Sequence, residues 1–425
     1  MAERDLEFDI LVVGGGMVGA VLACACLDKG WRIGLVEARE PRRSWPAGES
    51  DLRVSALNHA SRRVLERLVV WDRMVRLGVS PYREMHVWDA VSGGSIHFDS
   101  AELGEPDLGH IVENRVTRLA LWERLEQAQD VTLLYPAKLD RLELTTAAAR
   151  LDLKDGRRLD ARLLVGADGR DSQVRGHAGI ATQGRLYDQR AIVANVQLHE
   201  WHRETAWQRF LPTGPLAFLP LRDGRCSIVW SVTESKAQVL LELDEAHFRA
   251  ELEAASDGRL GPIGTVGPRA GFGLGSQHAE HYVEPRLALI GDAAHSIHPL
   301  AGQGVNLGLL DAAALAAALD EARNRQRDIG GLWTLRRYER ARRGDNQLML
   351  TAMDGFERLF SNASPPLAVL RGVGLSLVDR LVPIKHGFMH QALGSGDDLP
   401  PLARRGAGEW FSDRYRPGIS DLNVP

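Results

Sequence analysis

A short apolar strand that runs directly into closely spaced glycines limits the folds open to this chain more than any other feature. Phe8 to Val13 leads into Gly14-Gly15-Gly16-Met17-Val18-Gly19, and an apolar helical stretch then stops near Gly30. In this spacing Gly14 permits a tight turn, and Gly16 lets a pyrophosphate approach the amides at the helix start, Met17 and Val18 among them. Gly19 lets the helix lie close to the strand. Arg32 to Val36 supplies a second strand, and Glu37 at its tip stands where an acid accepts the hydroxyls of an adenosine ribose. Isolated glycines also make ordinary turns in βαβ units. The ordered series of strand, glycines, helix, strand and acid is what specifies a dinucleotide site.

A second motif chooses the dinucleotide. Arg286 to Ile290 is an apolar run ending in Gly291-Asp292-Ala293-Ala294-His295, followed by Pro299-Leu300-Ala301-Gly302-Gln303-Gly304-Val305-Asn306. Asp292 falls at the carboxyl end of a strand, where it can accept hydrogen bonds from polyol hydroxyls. Pro299 stiffens the turn, and Gly302 and Gly304 let backbone approach a flat ring. The Ala-rich helix from about Val305 to Leu319 aims its amides and positive dipole end at that ring. Such a helix start stabilises negative charge on the pyrimidine edge of a reduced flavin, so FAD is expected, with Pro299, Gly304, Val305 and Asn306 serving catalysis as well as binding. Gly271-Phe272-Gly273-Leu274-Gly275-Ser276 has no strand-glycine-helix setting and reads as a loop. With one complete fingerprint no separate nicotinamide domain is expected, and NAD(P)H would visit the flavin transiently.

The 425 residues suffice for two or three substructures. With 52 Lys plus Arg against 56 Asp plus Glu, net charge -4, no basic field argues for nucleic acid. The fingerprint so near the first residue, and the absence of eighteen uninterrupted apolar residues, predict a cytoplasmic protein, peripheral to the membrane at most. Cys24, Cys26 and Cys226 are too few for a disulfide framework. Cys24 and Cys26 face different sides of a helix, and His295 and His298 have no evident third ligand, so no metal site is expected.

Along the chain, Arg53 precedes a helix signal and reads either as a cofactor contact or as a solvated cation. Tyr82 to Ala90 and Ser95 to Asp99 begin a separate β-rich layer. Val116 to Ala128 is helical, with Arg115 and Arg118 at its start. Cations there oppose the dipole, which cofactor contact, solvent or a buried ion pair would explain. Val131 to Tyr135, Leu139 to Leu144 and Ala149 to Leu153 describe a small antiparallel sheet. Leu163 to Val165 then enters Gly166-Ala167-Asp168-Gly169, where Asp168 either orders the turn or touches the cofactor. Four runs, Ala191 to Leu198, Thr205 to Leu211, Leu216 to Leu221 and Cys226 to Val232, form a sheet whose Trp207, Phe218 and Trp230 are core residues or substrate contacts. Arg336, Arg337, Arg340, Arg342 and Arg343 read as a solvated face. Pro365 to Val382 is amphipathic, packed on the body or lying on a membrane surface.

With these residues in view, the chain resembles the flavin-dependent aromatic hydroxylases of ubiquinone biosynthesis, a branch of the class A monooxygenases, over almost its whole length. The likeness rests on Asp51 to Leu57, Pro81-Tyr82 through Val87-Trp88, Gly109 to Arg115, Leu121-Trp122, Gly166 to Gly169, Gly291 to Gly308, Phe388 to Gly394 and Asp398-Leu399-Pro400. Trp207-Gln208 and Gly214 to Pro220 are similar to the branch acting on a methoxylated prenyl benzoquinol. The resemblance implies an α/β (α+β) fold of the p-hydroxybenzoate hydroxylase type. Residues 1–70, 100–185 and 276–330 would form a discontinuous Rossmann-like FAD-binding domain, 71–99 and 186–275 an inserted β-sheet substrate domain, and 331–425 a helical C-terminal region. It implies FAD contacts by Glu37, Arg53, Arg118 and Asp292, although several relatives carry glutamine where this helix has Arg118. It also implies that NAD(P)H reduces the FAD and that a flavin hydroperoxide formed with O2 hydroxylates a prenylated phenol or quinol, with membrane contact and proteins of a ubiquinone-biosynthesis complex as partners. Two other readings stay open: hydroxylation of a small aromatic acid paired with Arg209 or Arg222, and a non-catalytic flavin-binding assembly protein.

Overall fold

The computed structural model describes residues 6–46, 48–296, 304–360, 372, 377–379, 381–396 and 398–406. Its first large sheet runs Val283–Glu284, Leu287–Leu289, Arg158–Gly166, Leu6–Val13, Ile33–Val36, Val131–Leu134, and all but the first of these strands are parallel. Near-continuous apolar strands are what a sheet covered on both faces requires, and Ile10, Leu11, Val12, Leu35, Leu163, Leu164 and Val165 are all fully buried. The helices Met17–Ala25, Asn114–Glu126 and Gly304–Asn324 bury apolar side chains in the same core.

Register makes the parallel strands finish together. Val13 pairs with Gly166 and with Val36, Val36 with Leu134, and Gly166 with Leu289. Gly14, Glu37, Ala167 and Ile290 therefore leave the sheet along one carboxyl edge. Val131–Leu134 is a parallel edge strand here, which corrects the antiparallel grouping expected for it. Leu139–Leu144 and Ala149–Leu153 do pair antiparallel, and Ala149–Leu153 continues onto the first half of Arg158–Gly166.

The second large sheet runs His295–Ser296, Ile263–Ala279, Thr182–Leu198, Arg225–Thr233, Gly214–Pro220, Thr205–Leu211, Glu84–Asp89, Ser95–Asp99. The glycine run at 271–275 lies in the seventeen-residue strand Ile263–Ala279 and is not a loop. Its pairing with Thr182–Leu198 through register shifts supplies the order that local propensity lacks. The positions 185/186 and 275/276 both fall inside strands of this sheet. Side chains alternate across it. Ile192, Leu216, Phe218, Ile228 and Trp230 face outward under the helices Glu234–Glu242 and Glu245–Ala255, whose Phe248 and Leu252 complete that core. Ala206, Ala217, Leu219 and Leu221 face inward against Ala56 and Ile111.

A three-stranded sheet of Val54–Leu57, Gly109–Glu113 and Val79–Tyr82 lies between the two. The strand expected from Tyr82 to Ala90 divides at Arg83, one part going to each sheet. The long helix Leu332–Phe360 follows, then Val382–Leu393. All three cysteines are free and buried, and burial pushes each thiol up to about 12.

Candidate cofactor and active site

The carboxyl edge of the parallel sheet gathers the turns singled out in the sequence. Gly14 has φ +109°, and a Cβ there would stand 2.3 Å from the Ala167 carbonyl oxygen. One on Gly19 would stand 2.0 Å from the carbonyl oxygen of Gly14. These approaches seat helix Met17–Ala25 on its strand, while a methyl on Gly16 would meet nothing within 4 Å, leaving the helix start open. Gly16 caps that helix without a side-chain bond, so its first amides, Met17 and Val18 included, stay available. Glu37 reaches back to accept from Gly15 N at 2.8 Å. Trp122, part of the Leu121-Trp122 pair in the family likeness, donates its indole N–H to the Gly15 carbonyl at 2.9 Å.

Asp168 takes the turn-ordering alternative. Its carboxylate accepts from Ser172 Oγ, from Gln173 N at 2.7 Å and from Val174 N at 3.1 Å, capping the short helix Gln173–His177. Both of its oxygens are engaged within the turn.

The two remote motifs meet at Val18. A Cβ on Gly291, which has φ +58°, would lie 3.1 Å from the Val18 side chain, and one on Gly308 would lie 2.6 Å from it. The start of helix Gly304–Asn324 is thereby brought beside the first glycine loop. Asn306, 4% exposed, accepts from Ser61 Oγ at 2.7 Å and Asn58 N at 3.2 Å and donates to the Ala56 carbonyl at 2.8 Å. Its side chain is committed to this clamp, and the first-turn amides of Gly304, Val305 and Asn306 lack intrahelical partners. Pro299, Gly302 and His298 lie outside the described residues.

Asp292 is open to solvent yet densely surrounded by protein atoms, a combination that a recess produces. Burial raises its carboxyl above the ordinary range, while His295, Arg170 and Arg53 pull it back. Beneath it lies a buried polar network that the sequence reading missed. Asp311, fully buried in the Ala- and Leu-rich helix, accepts from Gly291 N at 3.1 Å, Arg342 Nε at 3.0 Å and Asn346 Nδ2 at 3.1 Å, and lies 2.5 Å from His295 Nε2. Burial opposes its charge, but His295 and then Arg342 prevail and hold the carboxyl at about 2. Arg342 is 3% exposed, which corrects its place on a solvated face: its partner on another helix carries the charge inward. An aspartate inside the otherwise apolar run from Leu307 to Leu319 was the available signal.

The arginines separate. Arg115 lies over Trp45 at 4.4 Å and donates to the Glu49 carbonyl, so the 45–49 segment occupies it. Arg118 Nε is buried without a hydrogen-bond partner among the described residues. Arg53 is exposed, over the Phe272 ring at 5.4 Å. Arg209 donates to the Ala254 and Ala255 carbonyls at a helix end, and Arg222 to that of Val75. Phe218 and Trp230, 1% and 3% exposed, belong to the helix-covered outer core, and Trp207 projects to the same face, stacked on His86 at 4.4 Å. Register turns these three away from the face that meets Ala56, which favours the core alternative for them.

Comparison with known proteins gives a consistent family. Residues 7–351 match the family model described as FAD binding domain. The ubiquinone hydroxylase UbiL of Rhodospirillum rubrum is 42% identical over 403 residues, covering 94% of this chain and 93% of that one. The 3-demethoxyubiquinol 3-hydroxylase of Escherichia coli is 40% identical, with 91% and 98% covered. The human ubiquinone biosynthesis monooxygenase COQ6 is 37% identical, with 91% and 93% covered. Among solved structures, p-nitrophenol 4-monooxygenase PnpA of Pseudomonas putida aligns with a TM-score of 0.74 at 19% identity, over 92% of this chain and 99% of that one. Pseudomonas aeruginosa PqsL gives 0.71 at 24%, over 87% and 99%. Both share the fold.

Proposed function

Because this chain belongs to the FAD binding domain family and to its hydroxylases of ubiquinone biosynthesis, we propose that it hydroxylates the ring of a prenylated phenol or benzoquinol, using FAD, NAD(P)H and O2. The observation that supports this reading is the closeness of Val18 to Gly291 and Gly308, which brings the two glycine motifs side by side. The residues fit FAD. The space above Gly16 is open, Arg118 Nε is a buried donor without a partner among the described residues, and the helix start at Met17 offers amides with no side-chain cap.

Bound FAD supplies hydride acceptance from NAD(P)H and oxygen activation. The protein supplies position and charge. Gly16, Met17 and Val18 present amides to the pyrophosphate, Glu37 accepts from the ribose, and Arg53, Arg118 and Asp292 hold the flavin half. The amides of Gly304, Val305 and Asn306 would stabilise negative charge at the pyrimidine edge of the bound flavin. Arg209 and Arg222 are both tied to helix-end carbonyls, which favours a substrate without a carboxylate. The test supplies the FAD-loaded enzyme with 18O2 and either a prenylated phenol or hydroxybenzoates. One labelled oxygen in the prenylated product supports the reading; labelled hydroxybenzoate alone, or NAD(P)H oxidation without labelled product, overturns it.

Membrane contact is part of the same proposal. Among the described residues no helix is long and apolar enough to cross a membrane, but Leu377, Leu381, Val382, Ile384 and Phe388 are exposed near one another in sequence. Such a surface suits the acquisition of a greasy substrate from a bilayer. Cosedimentation with anionic liposomes should be lost in Ile384→Asp/Phe388→Asp; failure of the parent protein to cosediment counts against it.

A further inference from the structure

The last three strands of the second sheet, Thr205–Leu211, Glu84–Asp89 and Ser95–Asp99, carry side chains that the hydroxylation does not use. Glu84 and His86 are two residues apart and project from one face, and His97 is the direct antiparallel partner of His86. Trp207 faces His86 from the other neighbouring strand. Three rings stack as a result: His97 on His86 at 4.1 Å and 11°, and His86 on Trp207 at 4.4 Å and 14°. Glu84 Oε2 lies 2.9 Å from His97 Nε2 and 3.5 Å from His86 Nε2. The three donor atoms fall within 4.8 Å of one another.

We propose that Glu84, His86 and His97 bind a divalent transition-metal ion of the zinc class, through two imidazole nitrogens and one carboxylate oxygen, with water completing the shell. Tetrahedral coordination at about 2.0–2.1 Å places neighbouring ligand atoms roughly 3.3 Å apart. The two Glu84–imidazole separations bracket that spacing, and the nitrogens of the two imidazoles lie within 4.8 Å of each other. The two imidazole planes lie nearly parallel, so one ring turns about its Cβ–Cγ bond to aim its in-plane lone pair at the ion, and the stack opens on binding. The carboxylate now accepts from an imidazole N–H; the ion takes that place, and the displaced proton leaves to solvent. All three side chains are partly exposed, which gives the ion an entry path. Linear spacing cannot reveal the site, because strand pairing brings His97 to His86. Bound there, the ion would clip an edge strand to its neighbour, on the sheet face turned away from Ala56 and so outside the redox chemistry.

The test uses the FAD-loaded enzyme after chelator treatment. Calorimetric titration with Zn2+ should show one ion per chain and a raised unfolding temperature, and Cu2+ should give an electron paramagnetic resonance spectrum with two nitrogen ligands. His97→Ala should weaken Zn2+ binding by more than about tenfold and remove one nitrogen from the Cu2+ spectrum, with FAD content unchanged. Glu84→Gln, which keeps a hydrogen-bonding group, should weaken Zn2+ binding in the same direction and carries the test if His97→Ala does not fold. Absence of saturable binding, or parental affinity in both variants, overturns the proposal.

Discussion

The two large sheets use their residues in opposite ways. In the parallel sheet, register brings Val13, Val36, Gly166 and Leu289 to a common edge, and the residues proposed to hold the cofactor leave from strand ends. In the second sheet the informative residues lie on faces: Phe218 and Trp230 outward, Ala217 and Leu219 inward, and the Glu84, His86 and His97 cluster at its margin. A strand end announces itself through glycine and acid at fixed offsets, whereas a face is defined only by what packs over it.

Substitutions can break that contrast. The largest effect is expected for Gly19→Ala, whose methyl would stand 2.0 Å from a backbone oxygen that cannot step aside. A loss of more than about 3 kcal/mol is expected, with purified protein nearly free of FAD by absorbance. Asp311→Asn removes the buried partner of Arg342, leaving it the exposed Asp345 at 3.1 Å as counter-charge, and should cost about 3–4 kcal/mol in chemical denaturation. Asp311 also gives a sign for pH. Its folded-state carboxyl is held at about 2, below the ordinary 3.8, so its stabilisation is complete above that ordinary value and fades as pH falls toward 2. Acid unfolding curves of the Asn variant should lack that component.

Phe218→Ala tests the face. It should cost about 3 kcal/mol through the cavity it leaves, yet preserve FAD content and the KM for the aromatic substrate. A raised KM in folded protein would return Phe218 to the substrate wall. Gly308→Ala is the mildest, because its methyl presses hardest on the Val18 side chain, at 2.6 Å, with the Gly291 backbone further off at 3.2 Å. A cost of about 1–2 kcal/mol is expected, largely relieved when Val18→Ala is added. Additive losses in that cycle would mean that the two motifs do not meet there.

The legible parts of the molecule share a physical cause. Gly14, Gly19, Glu37 and the helix start near Val305 follow from short-range backbone demands, which sequence spacing records. The glycine run at 271–275 became a strand because Thr182–Leu198 pairs with it, a tertiary fact. Period-two alternation puts Phe218 and Trp230 on one side of their strands, but only the helices Glu234–Glu242 and Glu245–Ala255 make that side a core. Arg342 and Asp311 looked unrelated at a distance of 31 residues until the packing of two helices paired them at 3.0 Å. Asp168 declared itself a turn residue through its own local bonds, which the acidic glycine turn had allowed.

The buried thiols have a consequence for the durability of the enzyme. Catalysts that activate oxygen release hydrogen peroxide when turnover is uncoupled, and peroxide attacks thiolates far faster than protonated thiols. With Cys24, Cys26 and Cys226 sealed in the interior and pushed to about 12, the chain offers its own by-product no ready thiolate, so oxidative self-inactivation would have to begin at some other kind of side chain, the methionine thioethers among them.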